Sequence, residues 1–77
     1  MKIKEHDCVV LTHDLRAQNL RAGDVGAVVH IHNGGVAYEV EFATFTGRTV
    51  AIATVDASHL RPVGKHDISH SRKLAVA

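Results

Sequence analysis

The longest β-branched run of the chain, Val25-Gly26-Ala27-Val28-Val29-His30-Ile31, opens out of the segment Leu20-Arg21-Ala22-Gly23-Asp24, and it leaves little choice of local structure. Valine and isoleucine are stiff at χ1 and suit a pleated surface better than a helix. Gly23 and Gly26 would each cost a helix about 1 kcal/mol relative to alanine. Two glycines three positions apart around Asp24 fit a turn in which one backbone position takes a positive φ and the other needs a bend without a Cβ. The stretch therefore reads as a loop entering a strand at about residues 24–32.

The remaining elements follow from local patterns. Cys8-Val9-Val10-Leu11 marks a first strand at about residues 6–11, with Cys8 expected as a half-buried small hydrophobe. Residues 12–20 are polar without sustained period and form a long loop, with room for one helical turn, pinned to the core by Leu15 and Leu20. Asn33-Gly34-Gly35 makes a tight hairpin. Val36 to Phe42 alternates, placing Val36, Tyr38, Val40 and Phe42 inward and Ala37, Glu39 and Glu41 outward. After the reversal Thr44-Phe45-Thr46-Gly47, a fourth strand over residues 48–55 is expected to turn Val50 and Ile52 to one face and its alanines to the other. Asp56 caps a short helical turn, and Leu60-Arg61-Pro62-Val63 forms a very short last strand. This order predicts an all-β fold, a small five-stranded SH3-like barrel over residues 1–63, or else an open five-stranded roll. Residues 64–77 are polar and then small and apolar, and read as a flexible tail that at most docks Leu74 or Val76.

Composition removes several classes of function. With 77 residues, 45% of them hydrophobic, the chain is a single domain and not a disordered segment. One cysteine excludes an intrachain disulfide. The sequence has no stretch of about 20 apolar residues to span a bilayer, and the opening Met1-Lys2-Ile3-Lys4-Glu5 lacks a secretory signal's apolar core, so a cytoplasmic location is expected. Nine basic and eight acidic residues give a net charge of +1, far from the field of a dedicated nucleic-acid binder. No Ser/His/Asp set or buried acid pair stands out, and Gly23-Asp24-Val25-Gly26 lacks the lysine and the helix of a phosphate loop. The reading is non-enzymatic, with no cofactor.

Gly23-Asp24-Val25-Gly26, Ala37-Tyr38-Glu39-Val40-Glu41-Phe42 and Leu60-Arg61-Pro62 together resemble the small bacterial DUF4926 family, whose function is unknown, over about residues 1–63. Members are similar in opening on a short Asp-Val-Val-like strand, here Asp7-Cys8-Val9, and in closing on a Leu-Arg pair, here Leu60-Arg61. The resemblance implies a fold and supplies no catalytic residue. The spacing of Gly26, Val28 and Ile31 is also similar to the KOW element of ribosomal and transcription-factor barrels. That KOW-like spacing would turn Val28 inward and require a bulge before Ile31, whereas strict alternation would turn Val29 inward. KOW proteins surround the element with basic residues; here Glu39 and Glu41 stand beside it.

Without chemistry, the expected role is a binding module that docks on a protein, as an accessory subunit or as an antitoxin-like or immunity-like partner. Accessory chains of redox complexes and domains of nitrile hydratases use SH3-like barrels, a parallel of fold alone. Candidate partner-binding residues are Phe45, an aromatic at a hairpin tip; Glu39 and Glu41, an acidic stripe; and His30 and His32, which share a strand face. Seven histidines invite a metal reading, but the sharpest pair, His30 and His32, supplies two ligands where zinc needs three or four, and no metal is expected. Tyr38, Phe42 and Phe45 are too few aromatics for a proline-peptide groove. The alternative is weak RNA or DNA binding through Arg48, Arg61, Lys65, Arg72 and Lys73, with the tail as a basic arm. The second strand, rich in valine and isoleucine, is expected to offer an open edge for a homodimer.

Overall fold

The computed structural model describes residues 2–74 and contains five antiparallel strands in one sheet. These are β1 (Cys8–Leu11), β2 (Val25–His32), β3 (Ala37–Ala43), β4 (Thr49–Asp56) and β5 (Leu60–Pro62), in the order β4-β3-β2-β1-β5. Two 3-10 turns, Arg16–Gln18 and Ala57–His59, complete the regular structure. The fold is all-β as expected, but β4 and β5 do not pair, so the sheet stays open where a barrel would close. The short β5 explains part of this: it has three residues and ends at Pro62, which has no N–H to extend a ladder. No helix among the described residues is long and apolar enough to cross a membrane.

β2 lies at the centre, bonded to β1 on one side and β3 on the other, and is therefore not the free edge expected for it. Its two glycines divide the work. Gly23 takes a φ of 96° in the turn, where its N–H donates to Leu11 O at 2.7 Å and closes the loop back onto β1. Gly26 is needed for space: a Cβ there would sit 2.6 Å from Val40 Cγ1, 2.8 Å from the carbonyl oxygen of Glu41 and 2.9 Å from Phe42 Cδ1. Two residues on, the pairing with β3 shifts between Val28 and His30, leaving Val29 as an extra residue. Val28 is fully buried while Val29 is 36% exposed, so the bulged alternative holds and strict alternation fails. The segment before β1 covers the bulge: His6 N–H donates to Val28 O, and Val28 N–H donates to Asp7 O.

The core gathers Ile3, Val9, Leu11, Leu20, Val28, Tyr38, Val40, Phe42, Ala53, Val55 and Leu60. Three expectations about facing need correction: Val36 as inward, Val50 as sharing the face of Ile52, and Cys8 as half-buried. Val36 belongs to the β2–β3 turn and is 62% exposed, because the ladder ends at His32 opposite Ala37. In β4 the pairing with β3 slips between Phe42 and Ala43, which makes Val50 the extra residue. Downstream of it Ala53 and Val55 point inward, and Ile52 is turned out, 58% exposed. Small residues line the core there because Tyr38, Val40 and Phe42 of β3 already fill the space in front of them. Cys8 is exposed, since Val9 and Leu11 take the inward positions of β1. The helical turn before β5 is as expected, with Asp56 accepting from Ser58 N–H at 3.0 Å.

Because Val28 and Val29 are adjacent yet opposite in burial, they give a clean test. Val28→Ala is expected to cost about 2 kcal/mol in denaturant melts. Val29→Ala should stay within about 0.5 kcal/mol of the parent, as surface changes do. The reverse ranking would mean that the bulge is absent.

Candidate functional site

Asp24 is the buried charged residue among the described residues, 9% exposed. The turn that Gly23 makes aims its carboxylate along the loop side of β2, where Oδ2 accepts the Arg21 N–H at 2.8 Å. Its main partner comes from the tail. Arg72 reaches it in a two-pronged contact, Nε to Oδ1 at 2.8 Å and Nη2 to Oδ2 at 2.6 Å, and Nη2 also donates to Asn19 O at 3.0 Å. His70 Nε2 stands 3.3 Å from Oδ1. Burial pushes the Asp24 carboxyl upward, but the Arg72 hydrogen bonds, the Arg21 N–H, the Arg72 charge and His70 outweigh it and hold the group below its ordinary value of 3.8. The tail is thus tied to the turn rather than loose as far as residue 72, and Leu74 is half-buried. Val76, the other expected docking residue, lies outside the described residues.

The docked tail forms one wall of a groove of about 670 Å³. Apolar side chains of Val25, Phe42, Val50 and Leu74 line it, and Phe45 stands at its mouth on the β3–β4 hairpin. Phe45 is 85% exposed, as expected of an aromatic residue at a hairpin tip. Arg48 and Lys73 also line the groove, and neither has an ion-pair partner among the described residues. Of the remaining candidate cations, Arg61 is paired with Asp67 through two bonds of 2.9 Å, and Lys65 lies beyond β5 in the same exposed turn. That pair, with the Gly64 N–H, lowers the Asp67 carboxyl to about 2. The five cations do not converge on one surface: two are bound to carboxylates and the rest are divided between the groove and the turn.

The acidic and histidine candidates do come together, on the outer face of the sheet. His30 pairs across the strands with Glu39, the His30 and His32 rings meet edge to face at 4.7 Å, and His32 Nε2 is 3.5 Å from Glu39 Oε1. Glu39 accepts a hydrogen bond from Thr54, and Glu41 accepts one from Thr49 at 2.5 Å, so both carboxylates lean onto β4. The Thr54 bond is the chief reason the Glu39 carboxyl is held low, with partial desolvation opposing it and the two histidines assisting. No group of three histidine, cysteine, aspartate or glutamate side chains among the described residues is arranged to hold a metal.

A family model described as domain of unknown function (DUF4926) matches residues 5–62. The chain belongs to the DUF4926 family. Comparison with curated proteins and with solved structures gives no match. The match covers all five strands of the DUF4926 domain and the Asp24 turn, and it stops before Asp67, His70 and Arg72. The Asp24–Arg72 contact therefore joins the family domain to a segment outside the match. Sequence reasoning found Asp24 only as a turn residue and Arg72 only as a tail cation. Their opposite charges were the available signal, but a separation of 48 positions gives no local pattern that would pair them.

The depressed Asp24 pKa has a definite sign. A carboxylate held below its ordinary value adds stability above that value, and the contribution is lost as the pH falls through the folded pKa. The DUF4926 domain should therefore lose stability as the pH drops below 3.8. Arg72→Gln should cost about 1 kcal/mol at neutral pH, and its deficit should shrink in acid. Some acid sensitivity will persist in that variant, because Glu39, Asp56 and Asp67 are also held low. Parallel stability curves for parent and variant from pH 7 to about pH 2 would contradict the pairing.

Proposed function

We propose that this DUF4926 domain is a non-catalytic module that docks on a protein partner, in the manner of an accessory subunit, and that the groove beside Phe45 is the surface it uses. The observation that carries the proposal is the exposure of Phe45, 85%, at the mouth of a groove whose walls are apolar. Aromatic side chains left in water beside an apolar recess are the usual anchors of protein interfaces. Arg48 and Lys73 add positive charge to the same recess, while the negative charge of Asp24 is neutralised by Arg72. The matching partner segment presents an apolar side chain flanked by carboxylates. Glu39 and Glu41 are bonded to Thr54 and Thr49 of β4, and the His30 and His32 rings contact each other on the sheet's outer face, which leaves the four a secondary role.

The engagement of Arg61 with Asp67 and of Arg72 with Asp24 supports docking on protein over binding of RNA or DNA, because it removes two of the five cations a phosphate backbone would need. A cytoplasmic location fits the exposed, unpaired thiol of Cys8, which an oxidising compartment would expose to disulfide exchange.

Photo-crosslinking from position 45 in the source cell tests the docking surface. A photoreactive residue there should give one discrete protein adduct, weakened by Arg48→Glu and absent when the probe is moved to Arg16. Phe45→Ala should leave the melt within about 0.5 kcal/mol of the parent. No adduct, or an adduct with nucleic acid alone, would overturn the proposal.

A further inference from the structure

The loop before β2 closes on itself at its neck, where the backbones of Leu15 and Leu20 bond to each other at 2.9 and 3.1 Å. Leu20 belongs to the core and Leu15 packs against it, which anchors the loop. Their exposed neighbours Asp14, Arg16, Asn19 and Arg21, with Arg72 and Lys73 of the docked tail, line a second recess of about 530 Å³. Apart from Leu20 its walls are polar, unlike those of the Phe45 groove. Arg72 holds the tail in place there, since the Nη2 that bonds Asp24 also donates to Asn19 O. Charge in the recess is one-sided. Arg72 is matched by Asp24, but Arg16, Arg21 and Lys73 have no ion-pair partner among the described residues. Against these three stands one carboxylate, Asp14, whose Oδ1 already accepts the Ala22 N–H at 2.8 Å. Cations gathered without counter-charge repel one another, and an anion seated among them relieves the repulsion.

We propose that this recess binds a small ligand through paired phosphate groups, with the guanidinium groups of Arg16 and Arg21 and the ammonium of Lys73 as donors. A planar guanidinium bonds two phosphate oxygens at once, and an ammonium serves as a point charge beside them. Two linked phosphates bring into one small volume the negative charge that three cations call for, whereas a lone carboxylate would leave most of it unmatched. The volume of the recess falls in the range of small-molecule sites, and its polar walls offer nothing to an apolar anchor. RNA or DNA would need a continuous track of cations along its backbone. Here the unpaired cations Arg48 and Lys65 belong to other surfaces, the Phe45 groove and the turn beyond β5. The recess shares Leu20, Arg72 and Lys73 with the Phe45 groove, but Arg16 and Arg21 line the recess alone, so the phosphate site and the docking proposal can fail independently.

Titration of the full chain with inorganic pyrophosphate at constant ionic strength, followed by calorimetry and by amide chemical shifts, tests the site. Saturable binding of one pyrophosphate per chain is expected, with the shifts confined to residues 14–22 and 70–74. Arg16→Gln and Arg21→Gln should each raise the dissociation constant roughly tenfold, the loss of one charge-assisted contact. Lys65→Gln, which removes an unpaired cation outside the recess, should leave it unchanged. Should either arginine variant fail to fold, Lys73→Gln removes the third donor and is expected to weaken binding in the same way. No saturable binding up to millimolar pyrophosphate would overturn the proposal, as would arginine variants that bind like the parent. A Lys65→Gln loss as large as theirs would also overturn it, because the attraction would then belong to the whole surface. So would a single-stranded oligonucleotide that displaces pyrophosphate and binds more tightly.

Discussion

The contact on which the rest of the structure depends is the approach of β3 to Gly26. A missing Cβ lets the carbonyl oxygen of Glu41 and the side chains of Val40 and Phe42 close over β2 at distances no other residue would permit. Because one of those atoms is backbone, a larger residue could not be accommodated by turning a side chain; the strand itself would have to move. The close approach fixes how β2 lies against β3, and the bulge at Val29 then resets the alternation so that Val28 and Ile31 both face the core side. With β2 placed, β1 is positioned through Val9 opposite Gly26, and β5 through β1. The two ends of the sheet are left as unequal edges.

Much of this order was legible in the sequence, and the misreadings have a common origin. Turn chemistry at Asn33-Gly34-Gly35 and the cap at Asp56 are local, so they could be read from a few residues. Side-chain facing was read correctly wherever the ladder was regular, as in Tyr38, Val40 and Phe42. At β4 the alanines were read correctly as opposite Ile52, and only the grouping of Val50 with Ile52 failed, because an extra residue shifts a period of two by one and a sequence of valines and alanines carries no mark of where it sits. The position of β2 in the middle of the sheet was a matter of topology, and a strand's own residues do not say how many neighbours it has.

The site was legible in part. Phe45 at a hairpin tip was recognisable because tip residues have little to pack against. The Asp24–Arg72 pair was hidden, since it joins a turn within the DUF4926 domain to a segment beyond it, and only the folded chain brings them together. That pair also changes the meaning of the tail. A basic arm would hold its charge out to solvent, whereas here Arg72 is spent on a buried carboxylate and the segment becomes a wall of the groove. The same turn that organises the sheet through Gly26 thus shapes the recess beside Phe45 through Asp24. Fold and candidate surface share one short stretch of sequence.

Proton–proton nuclear Overhauser contacts in solution test this account at its root. If β3 closes over Gly26 and the bulge falls at Val29, the Gly26 Hα protons will show strong contacts to a Val40 methyl group and the Phe42 ring, and the Val28 methyls will contact core side chains while those of Val29 do not. Contacts of Val29 with the core, with none from Gly26 to Val40 or Phe42, would mean that β2 lies in a different register and that the structure is organised around some other constraint.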